Sequence, residues 1–127
     1  MAKDYTIAYL LDLYGAALTD KQRALVDYYY NDDLSLSEIS ENEGITRQGA
    51  RDGIKRAEAQ LREWEEKLGL LEWRREQTAS ADRICNAVAE LLRLLEIGGR
   101  QTEMRSLLNG IAEIAGQWRS EVPASKV

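Results

Sequence analysis

Histidine and phenylalanine are absent from the 127 residues, and cysteine and proline occur once each. Without histidine the commonest general acid–base group is missing, and Cys85 has no imidazole to activate it. A single cysteine closes no internal disulfide, and no Cys/His set has zinc spacing. No glycine-rich run ends in Gly-Lys-Ser/Thr, and no G-x-G-x-x-G follows a strand pattern. The expectation is therefore a protein that is not an enzyme and holds no cofactor and no metal. The lone Pro123 stands near the end, so the rest lacks the strongest helix breaker, while Ala, Leu, Glu and Arg abound. An all-α fold follows, with Leu, Ile, Tyr and Trp filling the core in place of Phe. Cys85, between Ile84 and Asn86 in a helical pattern, reads as a small core filler. There is no apolar run of membrane-spanning length, no basic-then-apolar leader and no lipidation signal. The expected location is cytoplasmic, away from the membrane.

Positive charge is also scarce. The net charge is −5, which argues against broad, non-specific nucleic-acid binding. Its distribution says more. Residues 1–45 hold three Lys/Arg against nine Asp/Glu, residues 46–62 hold five against two, and residues 63–127 hold nine against eleven. Only the middle segment is clearly basic.

That segment belongs to the most informative stretch, Leu34 to Leu61. Ser35 with Glu38 has capping-box spacing. Leu36, Ile39 and Ser40 share a face. Gly44 suits the left-handed end of a short helix. Ile45 reads as a core residue, and Thr46 as the cap of a second helix. The second helix opens with Arg47 and Gln48 and repeats cations at Arg51, Lys55 and Arg56. Its other face carries Ala50, Ile54, Ala57 and Leu61. A short support helix followed by a capped basic helix is the arrangement of a helix-turn-helix.

Upstream, Asp4 to Gly15 reads as a helix with Ile7, Leu10, Leu11 and Tyr14 at helical spacing. Thr19 to Tyr30 reads as another, with a Thr19/Gln22 capping box. Tyr28, Tyr29 and Tyr30 lie among acids that repel phosphate, so they read as core and rim. Asp32-Asp33, without further ligands nearby, reads as a loop. Downstream, Ala50, Ile54, Ala57, Leu61, Trp64 and Leu68 form a heptad-like seam that carries the basic helix on to Gly69 as a long arm. Ala81, Ile84, Val88, Leu91 and Leu95 make a second seam. Met104, Leu107, Ile111, Ile114 and Trp118 make a third, with Thr102 as its cap. Gly98-Gly99 lets these last two helices fold back as a hairpin. The tail after Glu121, with Pro123 and Ser125, reads as frayed.

The runs Asp33-Leu34-Ser35-Leu36-Ser37-Glu38-Ile39-Ser40, Gly44-Ile45-Thr46-Arg47-Gln48 and Ile54-Lys55-Arg56-Ala57-Glu58 resemble region 4 of bacterial sigma-70 factors. Leu11-Asp12-Leu13-Tyr14-Gly15 and Leu18-Thr19-Asp20-Lys21-Gln22-Arg23 lie upstream, and Trp64-Glu65-Glu66-Lys67-Leu68-Gly69-Leu70 downstream. Together, from about Tyr9 to Leu70, they resemble the YlxM family of small bacterial helix-turn-helix proteins. The resemblance implies a regulatory protein associated with the signal recognition particle. One departure stands out. The family usually has a large hydrophobic residue and an aromatic where this chain has Ala50 and Arg51, followed by Asp52 and Gly53. The resemblance thus bears on the fold more than on a particular target.

The expected organisation is a helix-turn-helix domain with its arm over residues 1–69, a C-terminal helical hairpin over 70–121, and a tail over 122–127. The expected nucleic-acid-binding residues are Thr46, Arg47, Gln48, Arg51, Lys55 and Arg56. Gln48 and Arg51 are the base readers, since their amide and guanidinium groups make bidentate contacts. Arg47, Lys55 and Arg56 meet phosphates, and Thr46 with the free N–H groups of that helix end can hold one. The target is DNA or structured RNA. The alternative is a protein partner, either a signal recognition particle component or RNA polymerase; the resemblance points to that particle's RNA or its GTPase. Three seams exceed what one small domain needs, so a homodimer is expected, a monomeric bundle being the other solution.

Overall fold

Local signals decide where the helices start and stop. The computed structural model describes residues 1–98 and 100–121, and every regular element among them is helical. α1 covers Thr6–Tyr14, and a short 3₁₀ turn covers Gly15–Ala17. α2 covers Asp20–Tyr30 and is opened by a complete capping box between Thr19 and Gln22. α3 covers Leu36–Glu43, with the same device at Ser35 and Glu38, and closes on Gly44 at φ 64°. A side chain at that left-handed φ would crowd the backbone. α4 covers Arg47–Leu68, α5 Leu70–Ile97 and α6 Gln101–Glu121. Contacts divide the chain into two compact units, Met1–Trp73 and one that begins at Arg74.

In the first unit α4 is the hub, and α1, α2 and α3 all pack on it. Ala50, Ile54, Ala57 and Leu61 are fully buried along its inner face. Against them lie Ile7, Leu10 and Leu11 of α1, Leu25 and Val26 of α2, and Ile39 of α3. Tyr29 and Tyr30 are buried and meet edge-on, with ring centroids 5.2 Å apart. Ile45 is half-buried and packs on the same core. Each large aliphatic side chain buried here contributes about 1.5–3 kcal/mol by leaving water.

The seam of α4 stops earlier than its spacing predicts. Trp64 is half-buried, and Leu68 is 64% exposed. The cause is the length of the partner. α1 ends at Tyr14, whose ring reaches Trp64 at 6.3 Å between centroids. The last turn of α4 overshoots this core and ends on Gly69 at φ 64°, and Leu71 fills the place instead. A carboxylate secures the bend. The Tyr14 hydroxyl donates to Glu65 Oε2 at 2.7 Å and accepts from the Leu70 N–H at 3.0 Å. Glu65 also accepts the N–H groups of Leu71 at 3.0 Å and Glu72 at 3.2 Å. These are free donors at the positive start of α5, where an anion is favoured. Burial, and then the neighbouring Glu65, raise the pKa of Tyr14.

In the second unit α5 and α6 are joined by three residues. On α6, Met104, Leu107, Ile111, Ile114 and Trp118 are all half-buried, along one face. On α5 the inward set is Ile84, Ala87, Leu91 and Leu94, with Leu94 buried and bordering the same cleft as Leu107. This corrects the expected seam, because Val88 and Leu95 are exposed. The apolar stripe of α5 is wider than one neighbouring helix covers, and α6 takes one edge of it. Cys85 is exposed, next to inward Ile84, and is not a core filler. Thr102 lies inside the first turn of α6, so it is not the cap. The Met104 N–H bonds the Arg100 carbonyl at 3.1 Å, and Arg100 pairs with Glu103 at 2.9 Å. α5 ends at Ile97, and Gly98 has φ 78°. Gly99 and the tail after Glu121 lie outside the described residues.

Candidate nucleic-acid interface

The turn between α3 and α4 is built from two local devices in series. Gly44 reverses the backbone, and the Ile45 N–H bonds the Ser40 carbonyl at 3.1 Å. Thr46 then adopts an extended conformation, and its Oγ1 accepts the Gly49 N–H at 2.9 Å. The first turn of α4 is therefore fixed, and Arg47 and Gln48, which open it, are exposed.

Thr46, Arg47, Gln48, Arg51, Lys55 and Arg56 are all exposed. They differ in what holds them. Among the described residues, no carboxylate lies within 4 Å of the Arg47, Arg51 or Arg56 guanidinium. Gln48 Nε2 donates to Asp52 Oδ1, one turn on, at 2.9 Å. Lys55 Nζ sits 3.6 Å from Glu58 Oε2 and keeps 49% of its side chain exposed. The set thus has three arginines without an acidic partner among the described residues, Arg47 and Arg51 in the first turns and Arg56 beyond them, with one paired lysine and one restrained neutral amide.

Glu58 was not among the expected residues. It is 2% exposed, one position beyond the buried Ala57. The Tyr30 hydroxyl donates to its Oε1 at 2.5 Å. Arg62 approaches it at 3.8 Å and also bonds Asp4 at 3.3 Å. Burial, followed by Glu58, pushes the Tyr30 pKa up. Asp4 is held below the usual carboxylate range by the Thr6 N–H and then by Arg62. The available sequence signal was the pair of cations three residues before and four residues after Glu58. Its burial depends on Tyr30, which no local spacing links to it.

On the other flank of α4, Gly49 and Gly53 border a cleft of about 360 Å³. Leu25 and Ile45 line it, and Lys21, Gln22 and Arg56 stand at its edge. By propensity the two glycines weaken the helix. At Gly53 the structure supplies a reason for glycine. A Cβ there would come within 2.6 Å of Leu25 Cδ1, so an added methyl requires the buried Leu25 side chain to shift.

The geometry is that of a basic helix presented by a supporting helix through a tight turn. Among the described residues, no helix is long and apolar enough to cross a membrane.

Comparison with known proteins agrees with this arrangement. Residues 1–98 match a family model described as "UPF0122: Putative helix-turn-helix protein, YlxM / p13 like". A UPF0122 protein of Thermoanaerobacter sp. (strain X514) is 45% identical over 103 residues, which cover 81% of this chain and 85% of the relative. One of Shouchella clausii (strain KSM-K16) is 50% identical over 70 residues, covering 55% and 64%. One of Bacillus cereus (strain AH187) is 42% identical over 90 residues, covering 71% and 82%. With its all-helical fold, its two capped helices about Gly44 and these matches, the chain belongs to the UPF0122 family of YlxM/p13-like helix-turn-helix proteins.

Proposed function

We propose that this protein is a regulatory nucleic-acid-binding protein that meets its target with the first turns of α4. The observation that carries the reading is the pair Arg47 and Arg51, exposed and unpaired among the described residues at the start of a capped, rigidly supported helix. Arg47, Lys55 and Arg56 contact phosphates, and Thr46 offers its helix end to another. Arg51 reads bases. Gln48 joins it by exchanging Asp52 for a base edge, since a surface amide–carboxylate bond has little net strength. Family membership and an all-helical fold go with a binding role rather than catalysis. The YlxM resemblance makes the signal recognition particle the setting, with its RNA as one target. The reading takes the protein as a homodimer, so that two such helices act together.

One observation favours a second reading, in which the helix-turn-helix binds a protein, either the particle's GTPase or RNA polymerase. Residues 1–45 carry nine acids against three bases, and such a surface suits a basic protein patch better than a long duplex.

Crosslinking in cells, with bound DNA and RNA sequenced in parallel, tests the first reading. Capture from lysate with and without nuclease separates it from the second. Enrichment of defined DNA or RNA sites, with partners lost on nuclease treatment, is the expected result. Protein partners that survive nuclease, with no enriched nucleic acid, would replace the first reading by the second.

A further inference from the structure

The hairpin of the second unit has a two-sided character that neither helix shows alone. On α5 the inward residues are Ile84, Ala87, Leu91 and Leu94. The residues that immediately follow them are Cys85, Val88, Leu92 and Leu95, all exposed. On α6 the residues that follow Met104, Leu107, Ile111 and Ile114 are Arg105, Leu108, Ala112 and Ala115, all exposed and, beyond Arg105 at the near end, apolar. The residues that immediately precede the inward positions are Arg83, Asn86, Glu90 and Arg93 on α5, and Ser106, Gly110 and Glu113 on α6. One step along an α-helix is a rotation of about 100°. In two antiparallel helices that face each other, the same rotation carries both stripes to the same side. The hairpin therefore has one apolar broad face and one polar broad face.

We infer that the apolar broad face, centred on Leu92 and Leu95 of α5 and Leu108 of α6, is the docking surface for the same face of a second copy of this chain. The two hairpins then make a four-helix bundle. Leu92, Leu95 and Leu108 are 59%, 61% and 55% exposed, and a lone two-helix hairpin buries too little to hold them in water. The charge of the hairpin selects the occupant. Residues 74–121 carry seven Lys/Arg and seven Asp/Glu. A neutral, mixed surface neither draws in a nucleic acid nor repels its own copy. The size fits as well. Helices of this length span about 30 Å and are about 10 Å wide each, so the face measures about 30 by 20 Å. That is the scale of the roughly 800 Å² each partner contributes to a standard interface. A two-fold pairing is also self-complementary, since each stripe of leucines meets the other. The inference rests on the homodimer part of the proposed function and not on nucleic-acid binding.

Sedimentation equilibrium of the full chain at tens of micromolar tests it. The wild type should have twice the chain mass of 14.4 kDa, and the double variant Leu92→Glu/Leu95→Glu should fall to a single chain mass. Mixing it with Leu92→Lys/Leu95→Lys should restore the dimer mass and the helical circular dichroism, even if each variant alone loses its hairpin. Arg93→Ala, on the polar side, should stay dimeric. A monomeric wild type would overturn both the dimer and this face. A wild-type dimer that survives charges at Leu92, Leu95 and Leu108, or a Glu/Lys mixture that stays apart, would overturn the face alone.

Discussion

The Tyr30 hydroxyl and the Glu58 carboxylate meet at 2.5 Å beneath the basic helix, and Glu58 is 2% exposed. This bond ties α2 to α4 at a point where a carboxylate has left water, and Lys55 and Arg62 approach its second oxygen from the surface. A buried anion without its donors bears the full cost of desolvation. Replacing Tyr30 by Phe removes the hydroxyl and leaves the ring. The variant should lose about 1–3 kcal/mol of stability, read as a lower midpoint in urea with an unchanged slope. A midpoint equal to the wild type would show that the bond contributes nothing.

Alkaline pH should act through the same pair. Burial and Glu58 raise the Tyr30 pKa, and burial and Glu65 raise that of Tyr14. An unfolded tyrosine ionises near 10, while these two hold their protons to higher pH in the fold. The unfolded state thus releases protons first, and stability is complete below pH 10 and falls as pH rises through and beyond it. Thermal melts from pH 8 to 11 should show a midpoint that is flat and then declines. In Tyr30→Phe the decline should be shallower.

Gly53 should resist replacement. Alanine there gains about 1 kcal/mol in helix propensity. Its Cβ also meets buried Leu25 at 2.6 Å, and overpacking of this kind costs about 1–3 kcal/mol. The net effect of Gly53→Ala should be a loss on the order of 1 kcal/mol. Leu25→Val in the same chain should recover part of it by giving the methyl room. A Gly53→Ala variant more stable than the wild type would mean that α2 yields freely.

Sequence reasoning succeeds here where the cause is local. The caps at Thr19, Ser35 and Thr46 and the stop at Gly44 need only a few consecutive residues, and each forms as its spacing predicts. The burial of Ala50, Ile54, Ala57 and Leu61 follows from helical period alone. The reading goes astray where a stripe is wider than its cover. Leu91, Leu92, Leu94 and Leu95 offer two possible seams, and only the position of α6 chooses between them. Leu68 continues the period perfectly but outruns the end of α1. Glu58 and Gly53 owe their roles to Tyr30 and Leu25, each 28 residues earlier in the chain, and such pairings leave no periodic trace. At the candidate interface, exposure of the six residues follows from the outward face of α4. The restraint of Gln48 by Asp52 comes from an i,i+4 spacing that was available.

The most direct test of nucleic-acid recognition is the salt dependence of binding to a sequence recovered by crosslinking, measured by fluorescence anisotropy for the wild type and for Arg47→Ala/Arg51→Ala. The three cationic phosphate contacts Arg47, Lys55 and Arg56 predict a log–log slope near −2.7 for each helix bound, at roughly −0.9 per contact on duplex DNA. Both arginines are exposed, so the double variant should keep its melting midpoint. The account predicts weaker binding in the double variant, with a shallower slope. Equal affinity and equal slope in the two proteins would contradict it.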